Sequence, residues 1–375
     1  MAEGLETLAS GGAVALLDPA LPLARGAEVD ATLAHAAARE PGVCSIATGG
    51  SSGEWRLARH RVETFWAAAK GFAQRFPHLK EHWSPLPVFH VSGWMPVWRA
   101  MACGGEVVPA DYRQWLNSHF PRRPAEGAVL SLVPTQIHRL MEVPAAVEFL
   151  RSFACILVGG AAISDSQRAR ARTLEIPLAP SYGMTETAGA ISVLTPASFL
   201  SGTGGCGQPL PHIHTDLQPE TGRLLLQSPS LFDGYLTAQG FAGREDGPWP
   251  TTDRASLEDP NSLHILGRID RMITCGGEKV APARIESILR KIPCVEDVVA
   301  FGLSDPDWGE VVAVALEVSD FQTFRNAWQS ISAKEWSPVE RPRFWWITDQ
   351  LPRNSLGKIQ LSALLNERSR FTPEP

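Results

Sequence analysis

Residues 251–279 set out side chains whose chemistry suits a nucleotide. Asp253, after two threonines, offers a carboxylate that could accept from a ribose diol. Arg268, in Gly267-Arg268-Ile269-Asp270-Arg271, offers a guanidinium suited to phosphate. Gly276 and Gly277 follow, with Lys279 just beyond.

A second candidate lies near the start of the chain. The apolar run Val43-Cys44-Ser45-Ile46-Ala47 leads directly into Thr48-Gly49-Gly50-Ser51-Ser52-Gly53-Glu54-Trp55-Arg56. Glycine backbone lets N–H groups come close to an anion, the hydroxyls of Thr48, Ser51 and Ser52 add donors, and Arg56 adds charge. No Lys-Ser or Lys-Thr follows Gly53, so the loop is not of the Walker type. A Gly/Ser surface turn is the plain alternative.

A third candidate is the small loop Ser181-Tyr182-Gly183-Met184-Thr185-Glu186-Thr187. Tyr182 offers a face for stacking, Thr185 a hydroxyl for phosphate, and Glu186 a hard oxygen for Mg²⁺. Gly159-Gly160-Ala161-Ala162 ends an apolar strand where a flat ring could lie against bare backbone. Each stretch taken alone could equally be a turn.

Two further side chains stand in an apolar setting. His90, within Phe89-His90-Val91-Ser92-Gly93, reads either as a satisfied core histidine or as a site residue. Arg99 lies among Trp94, Val97, Trp98 and Met101; it either snorkels to solvent or meets an anion, because a buried guanidinium is otherwise costly. Lys358 sits in the loop Pro352-Arg353-Asn354-Ser355-Leu356-Gly357, where a lone lysine is usually just a solvated charge.

Two motif matches fail on context. Gly202-Thr203-Gly204-Gly205-Cys206-Gly207 satisfies GxGxxG, but Gln208-Pro209-Leu210-Pro211 follows where a dinucleotide fold needs a helix. Ser355-Leu356-Gly357-Lys358 satisfies SxxK, but Gly357 and Pro352 oppose the helix that such a nucleophile requires.

The elements that must hold these groups alternate between strand and helix. Val62, Phe65, Trp66, Ala69, Phe72 and Ala73 share a helical face, residues 94–101 form a second apolar helix, and residues 129–133 and 154–158 read as buried strands. The pattern predicts a layered α/β domain with its site at the strand ends. After Asp270 the chain reads as a compact α+β domain, with a helix face at Ile285, Ile288 and Leu289 and strands at 298–302 and 311–318. The expected domains are therefore 1–270 and 271–375, with residues 1–40 as a cap of helix and loop.

Composition narrows the functional classes. In 375 residues there are 34 Lys plus Arg against 40 Asp plus Glu, with no basic block, which argues against nucleic acid as a partner. Six scattered cysteines without metal-ligand spacing, no signal-like start and no apolar stretch of membrane-spanning length suggest a cytoplasmic protein with no membrane span. Self-association into a homo-oligomer stays open.

The order of these pieces is more specific than any one of them. A hydroxyl-rich loop, Tyr182 to Thr187, Thr252-Asp253, Gly267-Arg268 with Asp270, Gly276-Gly277 and a late Gly357-Lys358 together resemble the adenylate-forming acyl-CoA synthetases, over roughly residues 43–365. The resemblance implies that Thr48, Ser51, Ser52, Gly53 and Arg56 hold ATP phosphates, Arg56 standing where a lysine is usual. It implies an adenine pocket at Gly159, Gly160, Ala161, Tyr182 and Gly183, phosphate contact by Thr185, Mg²⁺ at Glu186, ribose at Asp253, and a second nucleotide contact at Arg268. Asp270 matches the hinge of a mobile small domain, Gly276, Gly277 and Lys279 a coenzyme A tunnel, and Lys358 the lysine that catalyses adenylation.

Within that family, Phe89 to Gly93 followed by Trp98-Arg99 is most similar to the ligases that act on o-succinylbenzoate in menaquinone and phylloquinone synthesis. This implies substrate contacts from His90, Ser92, Trp94 and Arg99, with Arg99 pairing the unreacted carboxylate. Another aryl- or acyl-CoA ligase, or an inactive homologue serving as a binding protein, are the alternatives. The phosphate loop arrives at Thr48, far earlier than in most members, so the large domain is expected to be short at its start.

Overall fold

In the computed structural model the described residues are 2–10, 12–17, 42–49, 55–124, 126–258, 262–331, 336–353 and 359–373. The chain divides into two compact units. One comprises residues 1–218, 224–251 and 256–264, the other 219–223, 252–255 and 265–375.

The first unit is built on two sheets. The seven-stranded sheet runs in the spatial order 208–209, 189–193, 178–184, 155–158, 128–132, 81–84, 106–109. Its central strands are parallel, and Cys155–Val158 is buried at every position. A parallel strand covered on both faces must be apolar throughout, which is why this segment shows no alternation.

The second sheet carries β1 (Val43–Gly49) and β2 (Trp55–Arg61), paired antiparallel from Val43 with Arg61 to Gly49 with Trp55. Two helices fill the space around it, α1 (Val62–Arg75) and α2 (Val91–Cys103). Phe65 of α1 is fully buried and stacks on Trp98 of α2 at 5.3 Å, beside Ile46 and Trp94. Phe65→Ala would leave a cavity in this cluster and cost about 3–5 kcal/mol.

One expectation needs correction. Tyr182, Gly183 and Met184 are not loop but the end of β3 (Leu178–Met184). The strand continues past its parallel neighbour and turns into an antiparallel hairpin with β4 (Gly189–Val193), with a register shift between Tyr182 and Gly183. Gly183 is needed there because a Cβ would stand 2.1 Å from the Gly189 carbonyl.

The second unit has a five-stranded sheet including β5 (Ile273–Cys275), β6 (Glu278–Val280), β7 (Val295–Asp305) and β8 (Gly309–Val318), with Phe344–Thr348 parallel to β8. Helix α3 (Pro282–Leu289) buries Ile285, Ile288 and Leu289, the face read from the sequence. Residues 214–217, 223–227, 249–258 and 262–268 form a four-stranded sheet. Among the described residues no helix is long and apolar enough to cross a membrane.

Candidate active site

In the first unit, Thr48 closes β1 and sits opposite Arg56 of β2, its Oγ1 3.5 Å from the Arg56 carbonyl. The two strands pair antiparallel as far as Gly49 with Trp55. The expected phosphate ligands Ser51, Ser52 and Gly53 lie outside the described residues. Arg56 lays its guanidinium over the Tyr235 ring at 3.9 Å, and among the described residues its buried Nε has no acceptor.

Tyr235 links this arginine to the acidic turn. Its Oη donates to Glu186 Oε1 at 2.6 Å, and the Phe232 N–H donates to the Glu186 carbonyl at 2.8 Å. Phe232 packs edge-on against Tyr235 at 4.7 Å. Thr185 and Glu186 form a single 3₁₀ turn with Thr187, closed by Ala188 in the left-handed region at φ 54°. Such a conformation costs an alanine about 1 kcal/mol and persists only where its surroundings impose it. The Thr187 hydroxyl bridges the Met184 and Gly189 backbone and helps to do so.

His60 completes this cluster. Its ring is fully enclosed, with Nε2 2.8 Å from the Thr185 carbonyl and Nδ1 3.1 Å from the Thr64 hydroxyl. Burial pulls its pKa down to about 4, so the ring is neutral near pH 7. A carbonyl only accepts, so Nε2 bears the proton, while the Thr64 hydroxyl beside Nδ1 donates to the Arg61 carbonyl at 2.7 Å.

Gly159 adjoins the same hairpin. A Cβ on it would stand 2.7 Å from Ser181 Oγ, which donates to the Val158 carbonyl. Gly159, with exposed Gly160 and Ala161 beside it, is thus brought close to the strand that carries Tyr182 and Gly183. The adenine-pocket candidates are neighbours in one unit.

The expected substrate contacts lie on and before α2. His90 is the N-cap of that helix, half-buried, and packs on Phe89 at 4.7 Å; Ser92 is half-buried in the first turn. Trp94 and Trp98 belong to the apolar cluster, although among the described residues their indole N–H groups have no acceptor.

Arg99 is buried and does not snorkel. Its Nε points to the Met95 carbonyl at 3.4 Å, its guanidinium lies over Phe72 at 4.9 Å, and among the described residues Nη1 has no partner. Burial draws its pKa down to about 10, opposed weakly by Cys155 and Cys103, so it stays charged at neutral pH. Buried His82 is pulled down to about 3 by burial and by the nearby Arg99 charge.

The second unit carries the remaining candidates. Asp253 is buried, on the same inward face of its strand as Thr251 and Ala255. Arg268 and Asp270, expected as a nucleotide contact and a hinge, form a two-pronged ion pair at 2.8 and 2.5 Å. Gly276 and Gly277 make a two-residue turn between β5 and β6 with φ of 57° and 85°. Two consecutive positive φ values define a type I′ hairpin turn, which explains the glycine pair structurally. Lys279 is exposed and donates to Thr274 Oγ1 at 2.7 Å. Lys358 lies outside the described residues; Arg353 and Ile359 pair in an antiparallel bridge, and Arg353 is anchored on Asp297 and Glu317.

Sequence reasoning missed Tyr235 and His60, since their partners are 49 and 125 residues away. Neither the tyrosine nor the histidine, which stands between Arg59 and Arg61, gave a local signal of such pairing.

Residues 9–236 match the AMP-binding enzyme family, and residues 284–358 match the AMP-binding enzyme C-terminal domain. The chain belongs to the AMP-binding enzyme family, with a mixed α/β fold of two domains. Among its relatives is the 2-succinylbenzoate–CoA ligase of Enterococcus faecalis, 27% identical over 332 residues, which cover 85% of this chain and 68% of that one. The ligase of the same name from Geobacillus kaustophilus is 27% identical over 369 residues, 92% of this chain and 73% of the relative. Among solved structures, o-succinylbenzoate CoA synthetase (MenE) from Bacillus subtilis in complex with OSB-AMP superposes with a TM-score of 0.72 at 24% identity, covering 88% of this chain and 70% of that one. A variant of E. coli MenE with bound OSB-AMS gives 0.71 at 25% identity, covering 89% and 71%.

Proposed function

We propose that this protein is an ATP-dependent acid–CoA ligase that acts on o-succinylbenzoate, forming first the acyl-adenylate with release of pyrophosphate and then o-succinylbenzoyl-CoA with release of AMP, in menaquinone or phylloquinone synthesis. The observation that carries this reading is the linked set of Arg56, Tyr235, Glu186 and Thr185, present in a chain whose two domains match the family in order.

As the substrate carboxylate attacks the α-phosphorus, negative charge grows on the phosphate oxygens and needs fixed donors. The Thr48 loop with Ser51, Ser52 and Gly53, the Thr185 hydroxyl, Arg56 and Lys358 supply them. Arg56 fits this role because among the described residues its buried Nε meets no acceptor. Among the described residues no group of three metal-ligating side chains occurs. Glu186, held in one orientation by Tyr235, suits an Mg²⁺ ion that keeps most of its bonds for water and phosphate and neutralises charge there. Gly159, Gly160, Ala161, Tyr182 and Gly183 enclose the adenine, and Asp253 and Arg268 bind ribose and phosphate.

His90 and Ser92 flank the reacting carboxylate, with Trp94 behind them. Arg99 supports the choice of a diacid: a buried guanidinium with no carboxylate partner among the described residues suits a second, unreacted substrate carboxylate. For the second step Gly276, Gly277 and Lys279 receive the pantetheine arm of coenzyme A as the small domain turns about Asp270. The six free cysteines support a reducing, cytoplasmic setting.

ATP–pyrophosphate exchange across a panel of acids, without coenzyme A, tests the proposal. Exchange fastest with o-succinylbenzoate is expected; faster exchange with benzoate or a fatty acid refutes the substrate, and no exchange with any acid refutes the activity.

A further inference from the structure

His60 lies four residues beyond Arg56 on β2, so the two share a face of the strand. That face touches the acidic turn twice: Arg56 reaches Glu186 through Tyr235, and His60 reaches Thr185 directly. Phe65 at 5.0 Å and Phe232 at 6.4 Å wall in the imidazole, and the Thr64 hydroxyl stands beside its other nitrogen, so the ring has one orientation. The Thr185 carbonyl also closes the 3₁₀ turn by accepting from the Ala188 N–H at 3.1 Å.

We infer that His60 is a positioning residue for adenylation, its Nε2–H holding the Thr185 carbonyl so that the Thr185-Glu186 turn stays in register with the strand that bears the phosphate loop. This rests on the proposal that Thr185 and Glu186 serve the phosphates of ATP. His60 touches no reacting atom. It fixes the distance between the Thr185-Glu186 turn and β2, and misplacement by about 1 Å costs on the order of 100-fold in rate.

The test compares His60→Leu, which fills the space without a donor, with His60→Gln, whose amide nitrogen can reach the position of Nε2. In o-succinylbenzoate-dependent exchange, Leu is expected to lower kcat about 10- to 100-fold with little change in KM for ATP, and Gln to restore most of it. His212→Leu, at another histidine of the same unit whose burial draws its pKa down to about 4, is expected to keep the native kcat. Native kcat in His60→Leu, or equal loss in Leu and Gln, overturns the inference. Should His60→Leu fail to fold, Gln against Asn decides: Asn cannot reach the carbonyl and should be slow where Gln is not, and equal rates overturn the inference. Failure of the native protein to exchange with any acid strikes the proposed function instead, since these comparisons require an active parent.

Discussion

At the scale of single residues, Arg99 and Tyr235 separate recognition from stability. A buried charge without a counter-ion destabilises the unliganded fold, and replacing it with an apolar side chain of similar length removes that cost. Arg99→Met is therefore expected to leave the thermal midpoint unchanged or raised, while kcat/KM for a diacid falls about 30- to 5000-fold, the range for truncating one partner of a buried charge pair. A monocarboxylic acid should lose far less. An equal loss for both acids, or a lowered midpoint, would show that Arg99 serves packing rather than the substrate. Tyr235→Phe removes the donor that orients Glu186 and is expected to raise the Mg²⁺ concentration for half-maximal exchange about tenfold. An unchanged Mg²⁺ requirement would detach Glu186 from the ion.

At the scale of elements, the glycine pair between β5 and β6 carries two demands, one from the turn and one from coenzyme A. A side chain in the left-handed region costs about 1–2 kcal/mol, so Gly277→Ala should lower unfolding free energy in urea by roughly that amount. Gly276→Ala should cost more, because a Cβ there stands 2.8 Å from the Trp308 ring. If Gly277→Ala also slows only the coenzyme A step, the tunnel role stands beside the structural one. Much at this scale was legible in sequence: the apolar run 43–47 before a Gly/Ser loop is a strand entering a hairpin, and the spacing of Phe65, Ala69 and Phe72 marks the buried face of α1. The Tyr182 segment was misread as loop because Ser, Gly and Thr usually punctuate, whereas pairing with β4 made it strand. His60 and Tyr235 were invisible for a different reason. Their function lies in hydrogen bonds across long chain separations, which periodicity does not encode.

At the scale of the whole molecule, buried His60 and His82 and half-buried His212 of the first unit make its stability depend on pH. Burial lowers His60 and His212 to about 4 and His82, beside Arg99, to about 3. Each is neutral when folded but gains a proton near pH 6.5 when unfolded, so the unfolded state binds more protons as pH falls. Stability is thus fully present above about pH 6.5 and is lost as pH drops toward 4, by about 1.4 kcal/mol per pH unit for each histidine. Urea midpoints between pH 7.5 and 4.5 should fall with that sign, and less steeply in His212→Leu; a flat profile would show that these rings are hydrated or charged in the fold.

The central claim, that one chain adenylates o-succinylbenzoate and passes it to coenzyme A, is tested most directly by competition. Purified protein is given ATP, Mg²⁺, coenzyme A and equal amounts of o-succinylbenzoate, benzoate and a fatty acid, and the thioesters and nucleotides are quantified by mass spectrometry. The expected result is o-succinylbenzoyl-CoA as the main thioester, with one AMP formed per thioester. A different main thioester, ADP in place of AMP, or no thioester at all would contradict it.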